Sequence, residues 1–461
     1  MTARLWAPRA WLADGWREHV LLEVAANGTW SRVTAGVAPP PSDAMVLGGP
    51  VLPGLVNAHS HAFQRAFAGL AEQREGASDD FWSWRERMYR VALRVTPEQL
   101  RAIAAHLYIE LLRGGYTHVC EFHYLQHRED GSAYDDPLAM SWALAGAAAD
   151  AGIGLTLLPV LYERAGFAQP ALHADQRRFA TTPDSVWDMQ RRIAGSGTPM
   201  INTGVAIHSL RATMPASITR LRTLAENWDG PIHIHVAEQM QEVEDCLTAT
   251  GERPIEWLSR AGLLDARWQL VHATHVTPAE IDAVAASAAG VVLCPSTEAN
   301  LGDGLTDLPG WLASGVPVSL GSDSHVTRAW REELRLLEYG QRLDRRERNV
   351  SAEPGVGEPS TAARLLSRVV RGGAHPAGFR RWGFVADARA DLVVVDLRDH
   401  ALLGVPSSQL LDALVFSSPG RPWRDVVVAG RFVVSGHRHA GAESVAKRFE
   451  AAMQELWEGK R

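Results

Sequence analysis

The chain has 461 residues, 46% of them apolar and 21% charged, a composition that can bury a large core and is ordinary for a globular protein. Its net charge of −7 is at odds with the basic face that nucleic-acid binding needs, and no run of 18 apolar residues offers a membrane span. Arg, Pro and Asp break up the N-terminus, which therefore does not read as a signal peptide, so the expectation is a cytoplasmic enzyme with a small-molecule partner. Cys120, Cys246 and Cys294, odd in number and widely spaced, read as reduced apolar side chains. Lysine occurs only at Lys447 and Lys460, which excludes a lysine-dependent mechanism inside the body of the chain.

In chain order, residues 1–48 alternate short apolar pieces with turn residues at Asn27, Gly28 and Pro39 to Pro41, the texture of a few short antiparallel strands. The runs at 391–397 and 425–436 share that texture, so both flanks are expected to form one small β-domain, 1–48 with 376–440, around a continuous central domain, 49–375. Residues 441–461 have helical composition. Within the centre, β-like runs near 51–58, 117–123, 153–160, 201–207, 231–236, 268–272, 290–294 and 317–321 alternate with helical patterns. Eight is the count that a closed parallel barrel requires. Helix starts are explicit: Thr96, Pro97 and Gln99 supply a cap, a first-position proline and a capping box, Gly114 is the expected stop, and Thr277, Pro278 and Glu280 repeat the device. Two stretches, 62–96 and 161–183, exceed a normal connection and are candidate lids. The pair Trp82 and Trp84 in the first of them is expected mainly to pack a surface helix.

The chemistry lies at the ends of these runs. Residues two apart on a strand share a face, so His59 and His61 form half of a metal site. Later runs end in His235, His272 and Asp323, and a barrel brings all strand ends to one rim. His59, His61, His235 and Asp323 then make an N/O ligand set for one divalent ion, zinc first and Fe²⁺ second, whose bound water would have its pKa lowered to about 7. Glu238, three residues after His235, is placed to move protons, and His272 to hold the water or the substrate by a hydrogen bond. His233 lies one layer deeper and reads as a core histidine, while His123, His275 and His325 read as supporting or loop residues.

This constellation resembles the amidohydrolase superfamily, whose members share a distorted (β/α)₈ TIM barrel and a small β-sandwich built from both chain ends. The resemblance covers nearly the whole chain. Many members bridge two metals through a carboxylated lysine on strand four; here that strand ends in residues 206–211 without a lysine, which leaves the mononuclear deaminases. Within that branch, segments 57–70, 81–86, 121–124, 208–211 and 235–239 resemble enzymes acting on formimino amino acids. The resemblance implies hydrolytic deimination of N-formimino-L-glutamate, with Glu238, His272 and Asp323 catalytic. It also implies that Gln64, Arg85, Tyr124, His208, Arg211 and His272 bind substrate, the arginines on its carboxylates, and that the protein is a homodimer. Arg211 stands out on chemistry as well, because a guanidinium fork suits a carboxylate and a neutral nucleobase gives no reason for one. The competing expectations are a nucleobase or nucleoside deaminase with the same metal site, and an inactive scaffold relative.

Overall fold

A computed structural model describes residues 3–13, 15–74, 79–198 and 200–458. The architecture is a parallel, nearly closed barrel with helices outside and a separate sheet made from both chain ends. The barrel strands are Leu55–Ser60, Tyr116–His123, Gly154–Leu161, Val205–Ile207, Ile232–Val236, Trp268–His272, Gly290–Leu293 and Val318–Leu320, each parallel to the next. The seam between the last and first strands is closed by a bridge from Ser60 to Asp323, where the Asp323 amide donates to the His59 carbonyl at 3.1 Å and the His61 amide to the Asp323 carbonyl at 3.2 Å. Nearly every strand residue is buried, as expected where helices cover a parallel sheet from outside and side chains fill it from within.

Two runs that read as single strands are interrupted. The expected strand 51–58 splits at Gly54: Val51–Pro53 joins the terminal sheet, and Leu55–Ser60 alone enters the barrel. A β-carbon at Gly54 would lie 2.3 Å from the Thr117 side chain, so the chain crosses between the two sheets where only glycine fits. The run 201–207 likewise divides into Ile201–Thr203, beside the third strand, and Val205–Ile207, between the third and fifth.

In the terminal sheet, Arg431–Val434, Trp423–Val428, Leu392–Val395, Val51–Pro53, Ala3–Leu12, Gly15–Val24 and Trp30–Thr34 lie in that spatial order, and Met45–Val46 also pairs with Ala3–Leu12. It encloses its own core, including Leu5, Val20, Leu22, Trp30, Leu392 and Val394. Helix Pro97–Gly114 starts as its capping box dictates, with Gln99 N–H on the Thr96 hydroxyl at 3.2 Å, but it ends one residue later than expected, on Gly115 at φ +94°. Helix Pro278–Ser287 starts on Thr277 by the same box. Lys447 is exposed on the C-terminal helix Ala442–Glu458, and Lys460 lies outside the described residues. Among the described residues no helix is long and apolar enough to cross a membrane.

The two long connections pack against each other beside the barrel mouth. Segment 62–96 carries helix Phe81–Ala92, and segment 161–183 carries the short helix Ala174–Phe179. Buried Arg178 joins them: its guanidinium donates to the carbonyls of Ala92 at 2.6 Å, Val95 at 3.0 Å and His127 at 2.7 Å. Gln176 adds bonds to the hydroxyls of Tyr162 at 3.0 Å and Tyr89 at 3.4 Å.

Candidate active site

At the C-terminal rim of the barrel three imidazoles point their Nε2 atoms at one place. His59 Nε2 lies 3.1 Å from His61 Nε2 and 3.0 Å from His235 Nε2. Asp323 Oδ1 is 3.6 Å from His59 Nε2 and 3.5 Å from that of His61. Burial drives all three histidines toward the neutral form, His59 to about 3. His61 Nδ1 lies 2.9 Å from the Phe122 carbonyl, a contact that puts its proton on Nδ1 and leaves Nε2 as a lone pair. Lone pairs facing each other at this spacing repel unless a cation lies among them. Zinc–nitrogen bonds of about 2.0–2.1 Å hold two ligand nitrogens roughly 3 Å apart, so the residues present fit a divalent ion. Asp323 supplies the anionic member, held below the ordinary carboxylate range because His59, His61 and His272 outweigh the cost of its burial.

The backbone here is bent to purpose. His272, Asp323, Ala237, Ala273 and His325 all have positive φ, between +45° and +71°, in the left-handed region that β-carbons disfavour. Such residues cost of order 1–3 kcal/mol each and cluster at functional sites. Gly321 solves a related problem, since a β-carbon there would lie 2.6 Å from the His59 β-carbon and 2.8 Å from Cys294 Sγ.

Around this centre lie a base and its partners. His272 Nε2 is 3.6 Å from Glu238 Oε1 and 3.8 Å from Asp323 Oδ2, and its Nδ1 is 3.4 Å from Glu298 Oε1. Burial opposes a charge on His272, yet Glu238, Asp323 and Glu298 together raise it above an ordinary histidine. Burial pushes the Glu238 carboxyl up to about 7, with Asp323 and Glu242 adding to the rise and His272 and Arg211 opposing it.

Beside the centre opens a cavity lined by His61, His235, Glu238, His272 and Asp323 and also by Gln64, Arg85, Tyr124, His208 and Arg211. Every residue singled out in the sequence for ligation, proton transfer or substrate binding, His59 apart, thus lines one space, and His59 stands directly behind it. Gln64 donates from Nε2 to the Tyr124 hydroxyl at 3.3 Å and leaves its buried Oε1 without a partner. His208, kept neutral first by burial and then by Arg211, stacks edge-on against Tyr162 with centroids 4.3 Å apart. Arg85 and Arg211 form no ion pair among the described residues; Nε and Nη1 of Arg85 and Nη1 of Arg211 are buried without a hydrogen-bond partner.

The other histidines singled out near strand ends have places of their own. His233 meets the Pro376 carbonyl at 2.9 Å in the core, and His325 lies between Ser322 and Ser60 at 3.0 and 3.3 Å. His123 is buried in the barrel, and His275 lines a different cavity. Sequence reasoning missed Glu298, which also accepts the Cys294 amide at 2.9 Å, and Glu121, which fixes the turn after His61 by accepting from Ser60 Oγ at 2.7 Å and Ala62 N at 2.5 Å. It also missed Tyr89 and Tyr162 on the cavity wall and misjudged the tryptophans: Trp84 lines the cavity, and Trp82 lies against both guanidinium groups. The tryptophans and both tyrosines carried the same signal, as aromatic residues within long segments following barrel strands.

Comparisons with known proteins agree with this fold. The amidohydrolase family model matches residues 51–433. A formimidoylglutamate deiminase of Pseudomonas aeruginosa is 45% identical over 98% of this chain and 99% of its own. A 5-methylthioadenosine/S-adenosylhomocysteine deaminase of Natronomonas pharaonis is more distant, 27% identical over 87% of this chain and 85% of its own. The crystal structure of an amidohydrolase from Brucella melitensis superposes with a TM-score of 0.91 at 41% identity, covering 98% of this chain and 99% of that one.

Proposed function

The chain belongs to the amidohydrolase family, and we propose that its site hydrolyses N-formimino-L-glutamate to N-formyl-L-glutamate and ammonia, with one zinc ion on His59, His61, His235 and Asp323. The observation that carries the substrate choice is the pair Arg85 and Arg211, two guanidinium groups without carboxylate partners on the cavity that also holds the histidine cluster. Guanidinium forks bind carboxylates in bidentate fashion, and this substrate carries two of them. A nucleoside carries no carboxylate for either arginine.

A divalent ion bound at the cluster supplies a nucleophile from water at neutral pH. The residues do the rest. Arg85 and Arg211 take the carboxylates, with Gln64, Tyr124 and His208 completing the wall, so that the amidine carbon lies toward the histidines. Glu238, raised to about 7, is ionised often enough to accept a proton from the attacking water and acidic enough to pass it to the departing nitrogen. His272, 3.8 Å from Asp323 and tethered by Glu298, holds the attacking oxygen in line. The amidine enters protonated; a carbon–oxygen bond forms at its carbon and its bond to the terminal nitrogen breaks, that nitrogen leaving as ammonia with the proton from Glu238 while the second proton of the former water is released to solvent as the formyl carbonyl forms.

The test is ammonia release by zinc-loaded protein offered N-formimino-L-glutamate, with adenosine, guanine and cytosine as comparison substrates. Turnover of the formimino acid that Arg211→Met weakens through KM supports the reading. Release from a nucleoside or base alone, or from none of them, overturns it.

A further inference from the structure

Trp82, Arg85 and Tyr89 follow one another at spacings of three and four on helix Phe81–Ala92 and so share one face of it. The Arg85 guanidinium carbon lies 4.5 Å from the Trp82 ring centroid and 5.5 Å from that of Tyr89. Arg211, which follows the fourth barrel strand, places its own guanidinium carbon 5.5 Å from the same Trp82 ring. One indole therefore serves two cations that come from different elements, neither of which forms an ion pair among the described residues, although Glu238 and Glu242 line the cavity of the site and Asp245 a second one.

That second cavity lies beside the first, open to solvent and lined by Trp82, Arg85, Phe167, His173, Arg211 and Asp245 among others. Arg85 and Arg211 border both cavities, whereas Trp82 borders only the outer one. The ring thus stands on the solvent side of the two guanidinium groups. Bare guanidinium groups in the same neck repel each other, and rotation toward water would relieve the repulsion. The electron-rich face of an indole offsets it, and a ring on the outer side keeps the unpartnered N–H edges inward.

We propose that Trp82 is a positioning residue for substrate recognition: it holds Arg85 and Arg211 at the neck between the two cavities, with their N–H edges turned to the inner one, before the dianion arrives. The inference rests on the proposed deimination for the identity of the dianion, but its physical core is binding of a dicarboxylate. Glutarate, which has both carboxylates and no amidine, reads that core without any turnover.

Zinc-loaded wild type, Trp82→Leu and Trp82→Phe are compared for glutarate binding by calorimetry and for kcat and KM with N-formimino-L-glutamate. Trp82→Leu is expected to weaken glutarate and raise KM by roughly tenfold, with kcat within about twofold, and Trp82→Phe to recover most of the loss. Zinc content and melting temperature stay at wild-type values. Glutarate affinity and KM unchanged in Trp82→Leu, or a loss that falls on kcat alone, would overturn the proposal. Glutarate binding that depends on Trp82 in a wild-type protein that releases no ammonia would instead remove the substrate assignment and leave the positioning role standing.

Discussion

Glu238 illustrates how one residue's surroundings set its use. Its position three residues after His235 was visible in the sequence, but its proton affinity was not, because that depends on burial and on how close Asp323, from a distant strand end, and Glu242, from the adjoining helix, are brought. Enclosed beside Asp323 and Glu242, it rises to about 7, the range in which a group can take and return a proton at neutral pH. Glu238→Gln removes that capacity while leaving the histidine cluster untouched. The expected outcome is a kcat lower by about 10²–10⁴-fold with stoichiometric zinc retained, read by steady-state kinetics and metal analysis on the same preparation. Loss of zinc in this variant would recast Glu238 as a ligand. The proposed ligand residues were legible because each ends an apolar run, and topology alone brings such ends together. Glu298 was not legible, because its contact with His272 depends on the turn leading into helix Pro295–Leu301 and has no fixed spacing.

At the scale of elements, caps and periodicity located most strands and helices, since those signals are local. The interruptions at Gly54 and Gly204 escaped because a glycine within an apolar run does not say whether the next residues change sheets; that is decided by neighbours such as Thr117 and Pro231. The long connections were visible as long, but not as mutually braced. Arg178, only 1% exposed, does the bracing, and its guanidinium serves three carbonyls that would otherwise be left without it. Charged hydrogen bonds are worth about 1.5–3 kcal/mol, and a buried group stripped of its partner adds desolvation cost. Arg178→Met is therefore expected to destabilise the protein by about 3 kcal/mol, seen in urea as a lower midpoint at unchanged slope. Because one of those carbonyls, on Ala92, ends the helix that carries Arg85 and another, on Val95, follows it closely, KM should rise as well. A variant with wild-type midpoint and KM would show that the two segments hold together without this residue.

For the whole molecule, the terminal sheet and the barrel share a crossing at Gly54, and the barrel itself is closed at one seam, between strand one and strand eight. The proposed ligands straddle that seam: His59 and His61 come from its first edge, Asp323 from its last, and His235 from the opposite wall. An ion gripped by all four ties the seam to the far side of the barrel, and without it Asp323 is left as a buried carboxylate among three neutral imidazoles. Binding to the folded state alone stabilises it by RT ln(1 + [L]/Kd), about 2.7 kcal/mol at a hundredfold excess over Kd. Chelator-treated protein should therefore melt at a lower temperature, and the melting temperature should climb with the logarithm of added zinc. His235→Ala should abolish that climb, since it removes the ligand from the far wall. A melting temperature indifferent to zinc in the wild type would mean that the ion, if bound at all, does not draw on the four residues that the fold gathers at its seam.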